Sequence, residues 1–249
     1  MTTTSAPFAQ RWAIIVGASS PVGMAIAVHL AQQYGMHVVL HYFRNRSAVV
    51  TTRRQIRQIA PTTRTLLMRA DLTRVSGIER LGGRVLEHPD VTDIGCVAYL
   101  ASWFSAIPWD RVQYADFQRA VHIHGWAPLR LIQYLEPLLR APGRLMFFSD
   151  AGTRFGYPRY AAYTATKAIL DHWTRLLARA LSPRGVTVHA IAPYWIAHPR
   201  STGPAETDQL RYGEPATLST ILQAVDLIMR SGGALTGQTI ALESGRGLG

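Results

Sequence analysis

The sequence predicts a doubly wound α/β fold: a single domain on a parallel sheet of about seven strands, with helices on both faces. Three observations predict it. Apolar runs of strand length alternate with amphipathic stretches of helix length along the whole chain. A glycine-rich turn joins the first strand to the first helix. Polar and aromatic residues suited to chemistry fall just after strands, at the edge where parallel sheets bind ligands.

The elements follow in order. Residues 12–17, WAIIVG, are a continuous apolar run and read as a buried strand, and residues 24–35 as a helix closed by Gly35. Residues 37–43, HVVLHYF, are the second strand, followed by a helix near 47–60. Residues 65–70 are the third strand, with a helix around 73–88, and 93–101 are the fourth. A long helical stretch covers about 111–140, bent near Pro128 because proline removes a backbone donor. Residues 143–149 make the fifth strand, 158–182 a helix, 187–193 the sixth strand, 217–231 a helix and 238–242 the last strand. No repeat or linker divides residues 11–249. Residues 1–10 read as a flexible tail, and the irregular stretch 194–216 is long enough for a substrate lid.

Composition narrows the classes. The chain has 249 residues, enough for one large core. Its one cysteine, Cys96, excludes an internal disulfide and fits a reducing, cytoplasmic compartment. The start has no apolar segment of a secretory signal, and no apolar run approaches a membrane span. The net charge of +11 raises nucleic acid as a partner. The arginines are scattered, apart from Arg53, Arg54 and Arg57, with no zinc-finger spacing, basic arm or aromatic RNA-binding motif. An anionic cofactor or substrate explains the charge more simply. No metal site is expected, because His122 and His124 lack a second ligand set at sensible spacing.

Of the 26 Lys and Arg residues only one is lysine, Lys167, and it stands four residues after Tyr163. A position that keeps Lys in so arginine-rich a chain calls for a compact ammonium that a planar guanidinium cannot imitate. Tyr-x-x-x-Lys places both side chains on one helical face, one turn apart. The cation is expected to favour tyrosinate and so lower the Tyr163 pKa toward a range useful for proton transfer.

The turn after the first strand reads Gly17-Ala18-Ser19-Ser20-Pro21-Val22-Gly23. Its glycines permit close approach of backbone to a pyrophosphate, at the positive end of a helix, so Gly17, Ser19, Ser20 and Gly23 are candidate cofactor contacts. The second strand ends in Tyr42-Phe43-Arg44-Asn45-Arg46-Ser47. An NAD-binding chain often places an acid here for the ribose hydroxyls; two arginines, an amide and a hydroxyl suit a 2′-phosphate instead. NADPH is therefore the expected cofactor. The bland alternative is a solvated helix entrance with Ser47 as N-cap. Asp71 and Leu72 stand where adenine would lie, or Asp71 caps the next helix.

From about residue 12 onward the chain resembles the short-chain dehydrogenase/reductases, with motifs in the right order on the right elements. Tyr163 and Lys167 match the family's catalytic pair. The middle glycine of its Gly-x-x-x-Gly-x-Gly turn is Pro21, and its Asn-Asn-Ala-Gly segment is Tyr99-Leu100-Ala101-Ser102. The asparagine of its Asn-Ser-Tyr-Lys tetrad falls on His122 and the serine on Asp150. Aspartate there, with His41-Tyr42-Phe43-Arg44 and Ala101-Ser102-Trp103-Phe104, resembles the pteridine and dihydropterin reductases, whose matching Ser and Phe hold the substrate ring. The resemblance implies a Rossmann-type fold, cofactor contacts extending to Ala101 and Pro193, and a homodimer or homotetramer built on the helices at 111–140 and 158–182.

The chemistry expected of these parts is specific. Tyr163 donates the proton and Lys167 holds the nicotinamide ribose, as the resemblance implies. Asp150, when ionised, only accepts hydrogen bonds, so it favours a C=N bond of a nitrogen heterocycle over a plain ketone; protonated by burial, it could serve a carbonyl. Alternatively Asp150 caps the following loop and Ser149 takes the serine role. His122 either relays protons or packs within its helix. Ser102, Phe104, Phe155, Tyr194 and Trp195, with Trp103, are candidate substrate walls for a flat ring, or else core or subunit contacts. The leading expectation is an NADPH-dependent C=N reductase. A carbonyl reductase of secondary metabolism is the alternative, and a non-redox descendant of the fold the third reading.

Overall fold

The computed structural model describes residues 7–196 and 215–245. Residues 1–6 of the expected tail and most of the expected lid at 194–216 lie outside the described residues, but residues 7–10 are no flexible tail: Phe8 is buried in the core against Tyr34, and Gln10 N–H donates to Gly35 C=O at 2.9 Å. Seven parallel strands form one sheet: β1 (Trp12–Val16), β2 (His37–Tyr42), β3 (Thr65–Arg69), β4 (Ile94–Tyr99), β5 (Leu139–Phe148), β6 (Val186–Pro193) and β7 (Gln238–Leu242). Their order is β3-β2-β1-β4-β5-β6-β7, so the winding reverses between β1 and β4. A crevice opens at such a reversal, outside the carboxyl ends of the strands.

Seven α-helices cover the sheet among the described residues: α1 (Pro21–Tyr34), α2 (Arg46–Ile59), α3 (Val75–Leu86), α4 (Tyr114–Val121), α5 (Ala127–Leu135), α6 (Ala161–Leu181) and α7 (Leu218–Arg230). Strand alternation divides the core into two layers. In β1, Trp12, Ile14 and Val16 face the layer of α3, α5 and α6, while Ala13 and Ile15 face that of α1, α2 and α7. Each of the wholly buried isoleucines contributes about 1.5–3 kcal/mol. The helix stripes match the layers: Val49, Thr52 and Ile56 in α2, Ile78, Leu81 and Val85 in α3. Helix α1 starts at Pro21, three residues before the sequence suggests. Ser20 is its N-cap, accepting from Gly23 N–H at 3.0 Å, and proline suits the first helical position. No helix among the described residues is long and apolar enough to cross a membrane.

The expected long helix over 111–140 is where the structure departs most. It is two helices joined by a π-helical turn, His122–Trp126. Ala127 donates its N–H to His122 C=O, five residues back, and Pro128 has no N–H to give to Ile123. The Ile123 carbonyl is satisfied by the Tyr99 hydroxyl at 2.7 Å, and that of Gly125 by the Trp173 indole at 3.1 Å. Tyr99, standing in the Asn-Asn-Ala-Gly segment, thus has a structural partner for its polar end.

Candidate active site

A cavity of about 450 Å³ opens at the reversal of the sheet. The turn after β1 supplies Ser20, Pro21 and Val22, and the loop after β4 supplies Leu100, Ser102 and Phe104. Ser149 and Asp150 follow β5, Tyr163 and Lys167 come from α6, and Pro193 to Ile196 close the far side. Residues far apart in sequence thus converge on one space.

Tyr163 donates its hydroxyl proton to Asp150 Oδ2 at 3.1 Å, and Asp150 Oδ1 accepts from Gly152 N–H at 2.8 Å. Asp150 therefore caps the following loop, one of the two readings open to it, while its other oxygen meets the tyrosine. The expected lowering of the Tyr163 pKa does not appear. Burial, then the Asp150 charge and its hydrogen bond, raise it well above the usual value, so Tyr163 holds its proton; Ser102 pulls the other way. Burial also raises Asp150, opposed by Gly152 N–H, the Lys167 charge and Tyr163. Lys167 is 3% exposed, and burial brings it down to about 8 against the pull of Asp150 and Asp171. Its ammonium donates to Phe148 C=O at 2.6 Å, stands 5.5 Å from the Tyr163 ring centre and lines the cavity. Ser149 turns its hydroxyl toward Lys167 C=O at 3.5 Å.

The histidine that meets this pair is His124, not His122. His124 is fully buried, its ring edge-on to Tyr163 with centroids 5.7 Å apart. Its Nε2 lies 2.8 Å from Ser102 Oγ and its Nδ1 2.8 Å from Thr166 Oγ1. His122 makes none of these contacts. Its Nε2 is buried without a hydrogen-bond partner, and burial lowers its pKa beside Asp71. Both histidines lie in the π turn, and it is the His124 ring that the turn presents to Tyr163.

On the cofactor side, Gly17 adopts φ +96°, and a Cβ there would fall 2.9 Å from Ala101 N; at Gly23 it would fall 2.5 Å from Gly17 O. Both glycines are needed for the turn itself. His41 pins the turn from beneath, accepting from Gly17 N–H at 3.1 Å through Nδ1 and reaching Ala70 C=O at 3.2 Å through Nε2. Among the described residues, the Ser19 and Val22 amides keep no protein partner and suit phosphate oxygens. Asn45, not Ser47, is the N-cap of α2, and Ser47 donates to Asn45. Arg44 lies 5.2 Å over Phe43, and neither Arg44 nor Arg46 has an ion-pair partner among the described residues. Tyr42 and Leu72 are buried in the core, while Asp71 caps the turn at Thr73. A lone-charge reading of Arg44 and Arg46 and a phosphate-ready turn fit NADPH.

The outer wall is aromatic. Phe104, 64% exposed, packs on Tyr160 and Tyr163, and Tyr157 joins Phe155, Tyr160 and Tyr194. Trp195 lines the same space. Tyr157 and Tyr160 escaped the sequence reading, although they stand on the turn that leads into α6. Gly152 admits this wall: a Cβ there would lie 2.5 Å from the Tyr157 ring. Trp103 turns away, packed on the core and under Arg119. No cluster of three or more metal-ligating side chains exists among the described residues.

Comparison with known proteins follows the geometry. The family model for enoyl-(acyl carrier protein) reductase matches residues 17–243. Hydroxynaphthalene reductase-like protein Arp2 of Metarhizium guizhouense is 31% identical over 192 residues, which are 76% of this chain and 70% of that protein. Among solved structures, the promiscuous reductase LugOII, which catalyses keto-reduction at C1 in lugdunomycin biosynthesis, superposes with TM-score 0.83. It is 25% identical, covering 97% of this chain and 99% of its own. The landomycin C-6 ketoreductase LanV, solved with NADP and rabelomycin, has TM-score 0.83 at 24% identity over 97% of this chain and 98% of its own.

Proposed function

The chain belongs to the short-chain dehydrogenase/reductase family, and from that premise we propose that it is an NADPH-dependent ketoreductase of a planar, polycyclic aromatic or polyketide-like ketone. The observation that carries the reading is geometric: Tyr163, half-buried, lines an aromatic-walled cavity with its hydroxyl on Asp150 and the only lysine, Lys167, 5.5 Å from its ring centre. A group that keeps its proton is suited to giving it to a nascent alkoxide.

When bound, NADPH supplies the hydride that goes to the carbonyl carbon. Gly17, Ser19 and the Val22 amide would hold its pyrophosphate, Arg44 and Arg46 its 2′-phosphate, and Lys167 its nicotinamide ribose. Tyr163 turns from Asp150 to the carbonyl oxygen and delivers its proton there, leaving an alcohol. Lys167, 5.5 Å from the ring, steadies the tyrosinate that results. The rings of Phe104, Tyr157, Tyr160 and Tyr194 sandwich a flat substrate and exclude water.

The hydroxynaphthalene reductase-like relative and the LugOII neighbour favour C=O over the C=N bond that Asp150 first suggests. We retain the homodimer or homotetramer as part of the proposal, supported by exposed Trp109, Tyr114, Phe117 and Trp126 around α4 and α5. The test is NADPH consumption by the purified chain with bicyclic aromatic ketones, cyclic imines and dihydropterins in parallel. Turnover confined to the ketones is expected; turnover confined to imines or pterins would reject the keto reading, and no binding of NADPH would reject reductase chemistry altogether.

A further inference from the structure

Lys167 is a buried cation that forms no ion pair among the described residues. Its ammonium is held by one backbone carbonyl, that of Phe148. A cation so placed needs negative charge in its surroundings, or it gives up its proton. Four titratable groups lie around it: Asp150 from the loop after β5, His124 from the π turn, and Tyr163 and Asp171 from its own helix. Burial holds His124 neutral and Tyr163 protonated, so neither supplies charge. Asp150 does, but Gly152 N–H and the Tyr163 hydroxyl each occupy one of its oxygens.

Asp171 is placed differently. It stands one helical turn beyond Lys167, as Lys167 stands one turn beyond Tyr163. Thr153 Oγ1 donates to its Oδ2 at 2.9 Å, and Thr239 Oγ1 donates to its Oδ1 at 3.2 Å. Thr153 ends the 3₁₀ turn that follows Asp150, and Thr239 belongs to β7. Both donors are neutral, and among the described residues no cation pairs with Asp171; Arg175, one turn further on, is exposed. The carboxylate is half-buried, yet hydroxyls 18 and 68 positions away in sequence fix both its oxygens. We propose that Asp171 is a positioning residue whose carboxylate, fastened by Thr153 and Thr239, is the standing counter-charge of the Lys167 ammonium. It acts through Lys167 and lines no part of the cavity around Tyr163. The same carboxylate ties the turn after Asp150 to the helix that carries Tyr163 and Lys167, so both sides of the site share one anchor. The inference rests on the reductase reading, in which Lys167 holds the ribose and steadies the tyrosinate. Its sign follows from charge: Asp171 favours the protonated lysine, against the burial that brings it down to about 8.

The single lysine makes the test direct, because a chain labelled with carbon-13 lysine gives one side-chain signal. That signal is titrated with pH in the free protein and in its NADP⁺ complex. Asp171→Asn keeps the shape and can still bridge the two threonines, but removes the charge. It should lower the midpoint of the free protein by about one pH unit, and the alkaline limb of kcat/KM should move with it. Asp171→Glu should restore most of the shift. Thr153→Val with Thr239→Val keeps the charge but unfastens it, so the midpoint should fall by a smaller amount; this pair also serves if Asp171→Asn does not fold. A merely structural role would lower kcat/KM alike at every pH and leave the lysine signal in place. Equal midpoints in the wild type and Asp171→Asn, no recovery in Asp171→Glu, or a midpoint untouched by loss of both hydroxyls would each overturn the inference. Ketone turnover with an unmoved midpoint would sink it and leave the keto reading intact. A lowered midpoint in a chain that turns over no ketone would do the reverse.

Discussion

Two buried histidines stand on the two halves of the cavity, and they face different partners. On the cofactor side, His41 faces a carbonyl, Ala70 C=O, through Nε2, so Nε2 holds the proton and Nδ1 accepts from Gly17 N–H. On the substrate side, His124 lies between two hydroxyls, Ser102 Oγ at 2.8 Å from Nε2 and Thr166 Oγ1 at 2.8 Å from Nδ1. Both are neutral because burial drives their pKa down, to about 4 for His41 and about 2 for His124. The difference lies in what the accepting nitrogen faces. His41 binds a backbone amide, so it braces the shape of a turn. His124 binds a hydroxyl that lines the cavity, so it fixes the place of a group on the cavity wall.

The comparison can be broken first at Tyr163. Tyr163→Phe should reduce ketone turnover by about 10²- to 10⁴-fold, while titration calorimetry finds NADPH binding retained, because the phenol serves only the substrate half. The reverse separation comes from Arg44→Ala with Arg46→Ala. That pair should weaken NADPH by about tenfold to a hundredfold and leave NADH affinity nearly unchanged, since only the 2′-phosphate is lost. Equal loss for both cofactors would remove these arginines from the cofactor half.

Smaller effects sharpen the contrast. His41 is neutral in the folded chain down to about pH 4, whereas its ordinary value is 6.5. Above pH 6.5 both states are neutral and stability is flat in this respect. As pH falls from 6.5 toward 4 the unfolded chain takes up a proton that the folded chain refuses, and stability falls by about 3 kcal/mol. Urea unfolding at several pH values should show this slope, and His41→Gln should flatten it at a cost of about 1–3 kcal/mol at pH 7. Last, Lys167 loses its charge as pH rises through about 8 in the free enzyme. The kcat/KM profile should therefore fall on that alkaline side, and a profile level to pH 10 would mean that the ammonium is not required.

Much of this was legible from residue order. Periodicity placed the seven strands and most helices, and Tyr163 and Lys167 stood out because four residues is one helical turn and lysine occurs once. The long helix at 111–140 was misread because a π turn leaves no clear trace in hydrophobic spacing; Pro128 marked the place but not the extra residue. Within that turn it is the His124 ring, not that of His122, that meets Tyr163. The direction of the Tyr163 shift was misread for a related reason. Spacing revealed the nearby cation, but burial and Asp150, thirteen positions away, outweigh it.

Chain order thus established what local periodicity encodes: the alternation of strands and helices, the glycine turn that tolerates no side chain, and a tyrosine and lysine on one face of a helix. Folding settled what depends on surroundings: which histidine meets Tyr163, that Asp150 stands between the loop amide and the phenol, and the direction in which burial and Asp150 push the Tyr163 pKa. These properties arise from desolvation and from hydrogen bonds between residues distant in sequence, and neither exists until the sheet brings β1, β4 and β5 side by side.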